Sequence, residues 1–222
     1  LVKSRLLEIL PQDWEIELHP HGEVLTPEGW IEGPCSPEVI KQGLRDVSEA
    51  LGVEPRGLVF GDWLITEEGL RAALEVGVSH DASYTPYRFN ESFVVKPPFN
   101  LYGLVEVPTT SDGKYPLNPL VDPRTVYLAE YIVKEAEHKA ANCLLHFFFH
   151  SYDLFSFYRD GYKLIMNRLK LLRKLLNLLS RKGARFLHLS EVRSSYDCFL
   201  KEIRQSRLEK AKWLLKKVSL EL

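Results

Sequence analysis

Cysteine is scarce in this sequence. Cys35, Cys143 and Cys198 are the three thiols in 222 residues, too few and too scattered for a disulfide scaffold or a thiolate zinc knuckle. A reducing compartment, the cytoplasm first, is the expected setting. An excess of either charge is lacking too. Lys and Arg number 29 against 30 Asp and Glu, a net charge of −1, which excludes nucleic-acid binding through bulk positive charge. No uninterrupted apolar run approaches the ~20 residues of a membrane span. The most apolar stretch, Cys143 to Phe157, is broken by His146, His150 and Asp153. No segment has the charged, apolar and cleavable layout of a signal peptide, and the chain opens on Leu1 rather than Met, so processing, truncation or a later starting point is expected. Repeats and low-complexity linkers are absent as well, which predicts one domain over residues 1–222, with a core over 14–192 and a charged helix over 193–222.

Two kinds of chemistry lack their signatures. The 13 glycines are dispersed as helix stops and turns, so no phosphate-cradling loop exists and nucleotide chemistry is disfavoured. No Ser sits in a nucleophile elbow. Cys143 opens an apolar strand and reads as packing.

What is present suffices for a core: 45% hydrophobic and 27% charged residues are ordinary globular proportions. Leu1 to Leu10 reads as the tail of a helix, and Trp14 to Leu18 alternates like a short strand. Ser36-Pro37-Glu38 starts a helix that Gly52 ends, with Val39, Ile40, Leu44, Val47 and Leu51 on its apolar face. Gly57 to Phe60 reads as a strand, and Thr66-Glu67-Glu68 caps a helix closing at Gly77. Val78 to Ala82 and Leu104 to Val107 read as strands on either side of an irregular, aromatic segment, Tyr84 to Leu101. Asp122-Pro123 starts a helix, and Leu144 to Phe149 predicts a strand buried on both faces. The leucine stripe of Tyr162 to Lys182 predicts a helix covering a parallel sheet, and Phe186 to Leu189 a last strand. A charged helix from about Arg193, with Trp213, Leu214 and Val218, is left for a partner surface. Strands alternating with helices predict an α/β fold, and functional groups belong at the C-terminal ends of its strands.

Three histidines fall at predicted strand ends. His19 and His21 follow Trp14 to Leu18, with Glu23 two residues on. Alternate side chains of an extended backbone share a face, so two imidazoles and a carboxylate converge there on a divalent metal such as zinc, cobalt or nickel, or else they are incidental loop histidines. His150 closes the strand Cys143 to Phe149 and precedes Ser151-Tyr152-Asp153, a place for an acid–base group or for a histidine satisfied by local backbone. His146 on the same face reads as a core or lid residue. Asp62-Trp63, Asp81 and Thr109-Thr110-Ser111 follow other strands.

In order, these segments resemble the polysaccharide deacetylases, the carbohydrate esterases of the NodB-homology type. Trp14 to Trp30 (WEIELHPHGEVLTPEGW) resembles that family's histidine motif; Leu58 to Pro86 (LVFGDWLITEEGLRAALEVGVSHDASYTP) its third motif and the helix and strand after it. Leu104 to Thr110 (LVEVPTT), Cys143 to Leu154 (CLLHFFFHSYDL) and Gly183 to Val192 (GARFLHLSEV) resemble later strands. The family's first motif, a strand ending in paired aspartates, has no counterpart in the sequence and is expected upstream of Leu1. The arginines of the third motif stand opposite Val59 and Asp62.

The resemblance implies a distorted (β/α) barrel short of its first strand, acting as a hydrolase on an N-acetyl sugar or a related small amide. It implies zinc on His19 and His21, a general-acid role for His150, and a sugar pocket lined by Trp63 with Glu23 and Asp62. A catalytically degenerate barrel serving as a glycan-binding or interaction module is the alternative. A third reading is an interaction protein that self-associates through the leucine-rich and C-terminal helices.

Overall fold

The computed structural model describes residues 15–139, 141–159 and 161–192. The expected first helix and the C-terminal helix from Arg193, with Trp213, Leu214 and Val218, lie outside them, as does Trp14. The chain divides into two compact units. The first comprises 15–84, 98–108 and 187–192; the second comprises 85–97 and 109–186 apart from residues 140 and 160.

The first unit opens with a hairpin, β1 (Gly22–Thr26) and β2 (Gly29–Gly33), antiparallel in the register Gly22↔Gly33. Its turn is Pro27-Glu28, and Gly29 sits at φ 124°. Helix α1 (Pro37–Leu51) forms as its capping residues dictate: Val39 N–H donates to Ser36 Oγ at 3.3 Å, and Gly52 closes it in the left-handed region at φ 71°. Strand β3 (Gly57–Leu58) follows, then a 3-10 turn at Gly61–Trp63 and α2 (Glu67–Glu75), whose Gly69 N–H donates to the Thr66 cap. Each cap is worth about 1 kcal/mol. Strands β4 (His80–Asp81), β5 (Phe99–Leu101) and β6 (Leu104–Glu106) complete a four-stranded sheet in the order β3-β4-β6-β5. β3, β4 and β6 are parallel and β5 is antiparallel to β6. Leu18 adds a parallel bridge to Leu58, all that the described part of the first expected strand contributes. Ile40 and Leu44 of α1, Leu70 and Ala73 of α2, and Leu18, Leu58, Phe60, Val78 and Leu104 form one core. Burial of each large side chain there is worth about 1.5–3 kcal/mol.

The second unit is organised on α3 (Arg124–His138) and α4 (Met166–Arg181). Leu128 and Ile132 of α3 pack with Val94, Val95 and Leu117; Val126 and Ala129 meet Leu175 and Leu179 of α4. The leucine stripe therefore seals a helix pair within this unit, where covering a parallel sheet was expected. The helix also begins later than Tyr162. Gly161–Leu164 is strand β8, paired antiparallel with β7 (Phe155–Tyr158), and Gly161, paired with Tyr158, has φ 150°. Leu144 to Phe149 forms no strand. Leu145 and Phe147 are held by packing on α3 and α4, and the backbone of His146 bonds to Thr110 in place of a ladder. Phe186 to Leu189 is no strand either, and Phe186 is exposed.

The fold is thus mixed α/β with a parallel sheet and, among the described residues, four helices. No closed barrel forms among those residues, and none of their helices is long and apolar enough to cross a membrane.

Candidate functional site

His19 and His21 stand at the C-terminal end of the parallel strands. Residues 18–20 run alongside 57–61, with Val59 N–H donating to Leu18 O at 2.9 Å and Gly61 N–H to Pro20 O at 2.8 Å. His19 Nδ1 lies 2.7 Å from Val59 O. A carbonyl only accepts, so Nδ1 carries the proton and the lone pair is left on Nε2. The ring of His21 lies against Gly61: a Cβ there would stand 2.5 Å from His21 Nδ1 and 2.7 Å from Cε1. The two rings meet edge to face with centroids 4.7 Å apart, and Nε2 of His21 donates to Nε2 of His19 at 3.0 Å. Two imidazole nitrogens on one tetrahedral zinc stand about 3.3 Å apart. The pair therefore fits a divalent ion with little movement, by exchange of the shared proton for the metal.

The neighbours expected to join them are arranged differently. Glu23 is exposed on β1, in backbone register with Glu32. Asp62 and Trp63 follow Gly61 in the left-handed region, at φ 49° and 53°. Two consecutive non-glycine residues there cost about 1–3 kcal/mol each, strain of the kind that gathers at binding loops. Among the described residues, no third histidine, cysteine or carboxylate completes a ligand group with His19 and His21.

A buried acid pair lies at the same strand ends. Asp81 and Glu106 face each other in the β4–β6 register and are fully buried. Ser83 Oγ donates to Asp81 Oδ1 at 2.6 Å, and Tyr84 N–H donates to Glu106 Oε1 at 2.9 Å. Burial pushes Glu106 well above the ordinary glutamate range, and the Asp81 charge and the hydrogen bond between the two carboxyls push it further. Burial also raises Asp81, opposed by its bonds to Glu106 and Ser83. The two share one proton, as like charges in contact must. Asp81 was legible as a strand-end group; Glu106 was not, although a glutamate inside Leu104-Val105-Glu106-Val107 was a signal.

The opposite end of the sheet holds Glu15, Glu17 and His80, another group the sequence reading missed, with ligand atoms within 4.8 Å of one another. His80 is 2% exposed; its Nε2 lies 3.0 Å from Glu17 Oε1, while Glu17 Oε2 accepts from Gly57 N–H. Burial acts to raise Glu15, but the Ser190 hydroxyl and N–H outweigh it and hold the carboxyl below its usual value. Glu15 and Glu17 line a cleft of about 270 Å³ with Val53, Glu54 and Arg56. Every carboxylate oxygen in the trio already accepts a hydrogen bond, so a hydrogen-bonded cluster closing the sheet's N-terminal edge accounts for it.

His150 belongs to the second unit, before the 3-10 turn Ser151–Leu154. Its ring stacks on Tyr152 at 4.5 Å, and Nδ1 is 3.8 Å from Asp153 Oδ2. That oxygen also accepts from His150 N–H at 3.0 Å and from Asn118 Nδ2 at 2.7 Å. His146 is half-buried, with its N–H on Thr110 Oγ1.

No protein-family model matches this sequence, and no curated protein matches it. Among solved structures, the chain is similar to one described as a "putative polysaccharide deacetylase from Mycobacterium smegmatis", with 14% identity and a TM-score of 0.47. The match covers 77% of this chain, and the chain spans 59% of the length of that structure.

Proposed function

We propose that the protein is a metal-dependent hydrolase of amide carbon–nitrogen bonds, of the polysaccharide-deacetylase type. It would remove an N-acetyl group from a sugar or cleave a related small amide. The observation that carries the reading is the convergence of His19 and His21 Nε2 at 3.0 Å on a parallel strand end. A bound divalent ion, zinc by its donor set, supplies Lewis-acid polarisation of a carbonyl and a water of lowered pKa. The chain's own residues do the rest. Val59 O holds the His19 proton on Nδ1, and Gly61 makes room for His21. His150, beside Asp153, is the group that gives a proton to the departing amine. Trp63 offers a sugar an aromatic face, with Asp62 and Glu23 as polar contacts. A distorted β/α barrel is the architecture that completes the proposal.

Zinc titration of the metal-free protein tests it. Wild type should bind one equivalent and release acetate from an N-acetylated oligosaccharide. His19→Ala should abolish binding, whereas His150→Ala should keep the metal and lose turnover by ~10²-fold or more. A His19/His21 double alanine variant that still takes up zinc would defeat the assignment. Gly61→Ala should cost at least about tenfold in zinc affinity by driving a methyl into the His21 ring; unchanged affinity would show that His21 is not held there.

The lack of a third ligand among the described residues favours a second reading, a glycan-binding module without hydrolysis. Oligosaccharide binding by a protein that takes up no zinc and releases no acetate would establish it.

A further inference from the structure

The peptide between Val59 and Phe60 is engaged on both sides. Its C=O accepts the Nδ1 proton of His19 at 2.7 Å, and its N–H donates to Ser83 Oγ at 2.7 Å. A hydroxyl has one proton, and Ser83 gives it to Asp81 Oδ1 at 2.6 Å. Asp81 faces Glu106 across the strand register, and the two oxygens left over, Asp81 Oδ2 and Glu106 Oε2, are buried with no hydrogen-bond donor from the rest of the protein. Ser83, Asp81 and Glu106 are all fully buried, and every member of the chain lies in the first unit.

The polarity of this chain runs one way. A buried anion orients the hydroxyl, the hydroxyl orients the peptide N–H, and the peptide dipole presents its oxygen to the imidazole. Aligned hydrogen bonds in a low-dielectric interior polarise one another. Their combined effect at His19 is to keep the proton on Nδ1 and make Nε2 the more basic nitrogen. Metal-binding histidines are ordinarily steered by such a partner on the other ring nitrogen. Here the steering group is a peptide, and the charge behind it is two hydrogen bonds further back.

We infer that Ser83, Asp81 and Glu106 form a buried positioning relay that, through the Val59–Phe60 peptide, fixes the tautomer and orientation of His19. The relay's effect on metal affinity rests on the reading of His19 and His21 as ligands; its effect on the tautomer does not. None of the three touches a substrate, so they are positioning residues.

Nitrogen-15 NMR of the metal-free protein, with the His19 signals identified by their loss in His19→Ala, reads the tautomer directly. Wild type should hold the Nδ1–H form. Ser83→Ala should give a mixture with Nε2–H and weaken zinc binding by about tenfold or more; Ser83→Thr, which keeps the hydroxyl, should restore both. Asp81→Asn, which keeps the shape and removes the anion, should weaken zinc binding severalfold and serves if the alanine variant does not fold. Leu70→Ala, a core truncation in the same unit, is the control for general loosening and should leave tautomer and affinity unchanged. A Ser83→Ala protein with the wild-type tautomer overturns the relay, as does an equal loss of affinity in Leu70→Ala. Wild type that takes up no zinc overturns the metal reading, and the tautomer comparison then decides the relay alone.

Discussion

Gly57→Ala should destabilise the first unit by on the order of 3 kcal/mol, although a β position ordinarily prefers alanine to glycine. Gly57 begins β3, in register with His80 of the adjacent strand, and the imidazole lies across its Cα. A Cβ would meet Nε2 and Cδ2 of that ring in frank overlap and stand 2.8 Å from Cε1. His80 has no room to retreat, being 2% exposed within the sheet. Turning the ring out would break its contact with Glu17 and leave Glu17 Oε1 without its hydrogen-bond donor. The urea midpoint gives the measurement. In a His80→Ala background the obstacle is gone, so Gly57→Ala should then be nearly neutral, a coupling that a double-mutant cycle reports. Equal costs in both backgrounds would show that the ring does not lie there.

What the sequence disclosed follows the range of the interactions involved. Ser36-Pro37-Glu38 with Gly52, and Thr66-Glu67-Glu68 with Gly77, are local signals, and the helices they predict are present. The two-residue spacing of His19 and His21 is local too, and the rings do meet. What holds them is remote in sequence: Val59 O and Gly61 are set by strand pairing that no spacing discloses. Glu106 was hidden for the same reason, since its meaning comes from Asp81 on the neighbouring strand. Apolar runs misled where length alone decided. Leu144 to Phe149 has strand composition, yet Leu145 and Phe147 are taken up by helices and Phe149 is exposed. At the start of the leucine stripe, the dipeptide Asp160-Gly161 between Phe155-Ser156-Phe157-Tyr158 and Tyr162-Lys163-Leu164 was a hairpin signal. The helical periodicity beyond it outweighed that signal. Pro27-Glu28-Gly29 was a second turn of this kind, inside a segment read only for its histidines.

Glu106→Gln should remove much of the first unit's loss of stability as pH rises above the ordinary glutamate range. In wild type, burial and the facing Asp81 raise the Glu106 carboxyl well above its ordinary range. Between the ordinary value and the raised one the folded chain therefore holds a proton that the unfolded chain has released. Stability is fully present below the ordinary glutamate range and falls as pH rises through that window. For one proton the folding constant drops by roughly tenfold per pH unit. Asp81 is raised as well and acts with the same sign. Glutamine keeps a neutral hydrogen-bond donor facing Asp81 at every pH, and its amide oxygen accepts the Tyr84 N–H as Glu106 Oε1 does. The variant should match wild type or fall slightly below it at about pH 4, then gain on it as pH rises towards the raised Glu106 value. Glu15, held below its usual value, contributes the opposite slope at acid pH, but equally in both proteins, so it cancels in the difference. Urea midpoints across the range decide the matter. Parallel curves would mean that Glu106 titrates as an ordinary solvated carboxyl and shares no proton with Asp81, and the anchored end of the chain leading to His19 would then be lost.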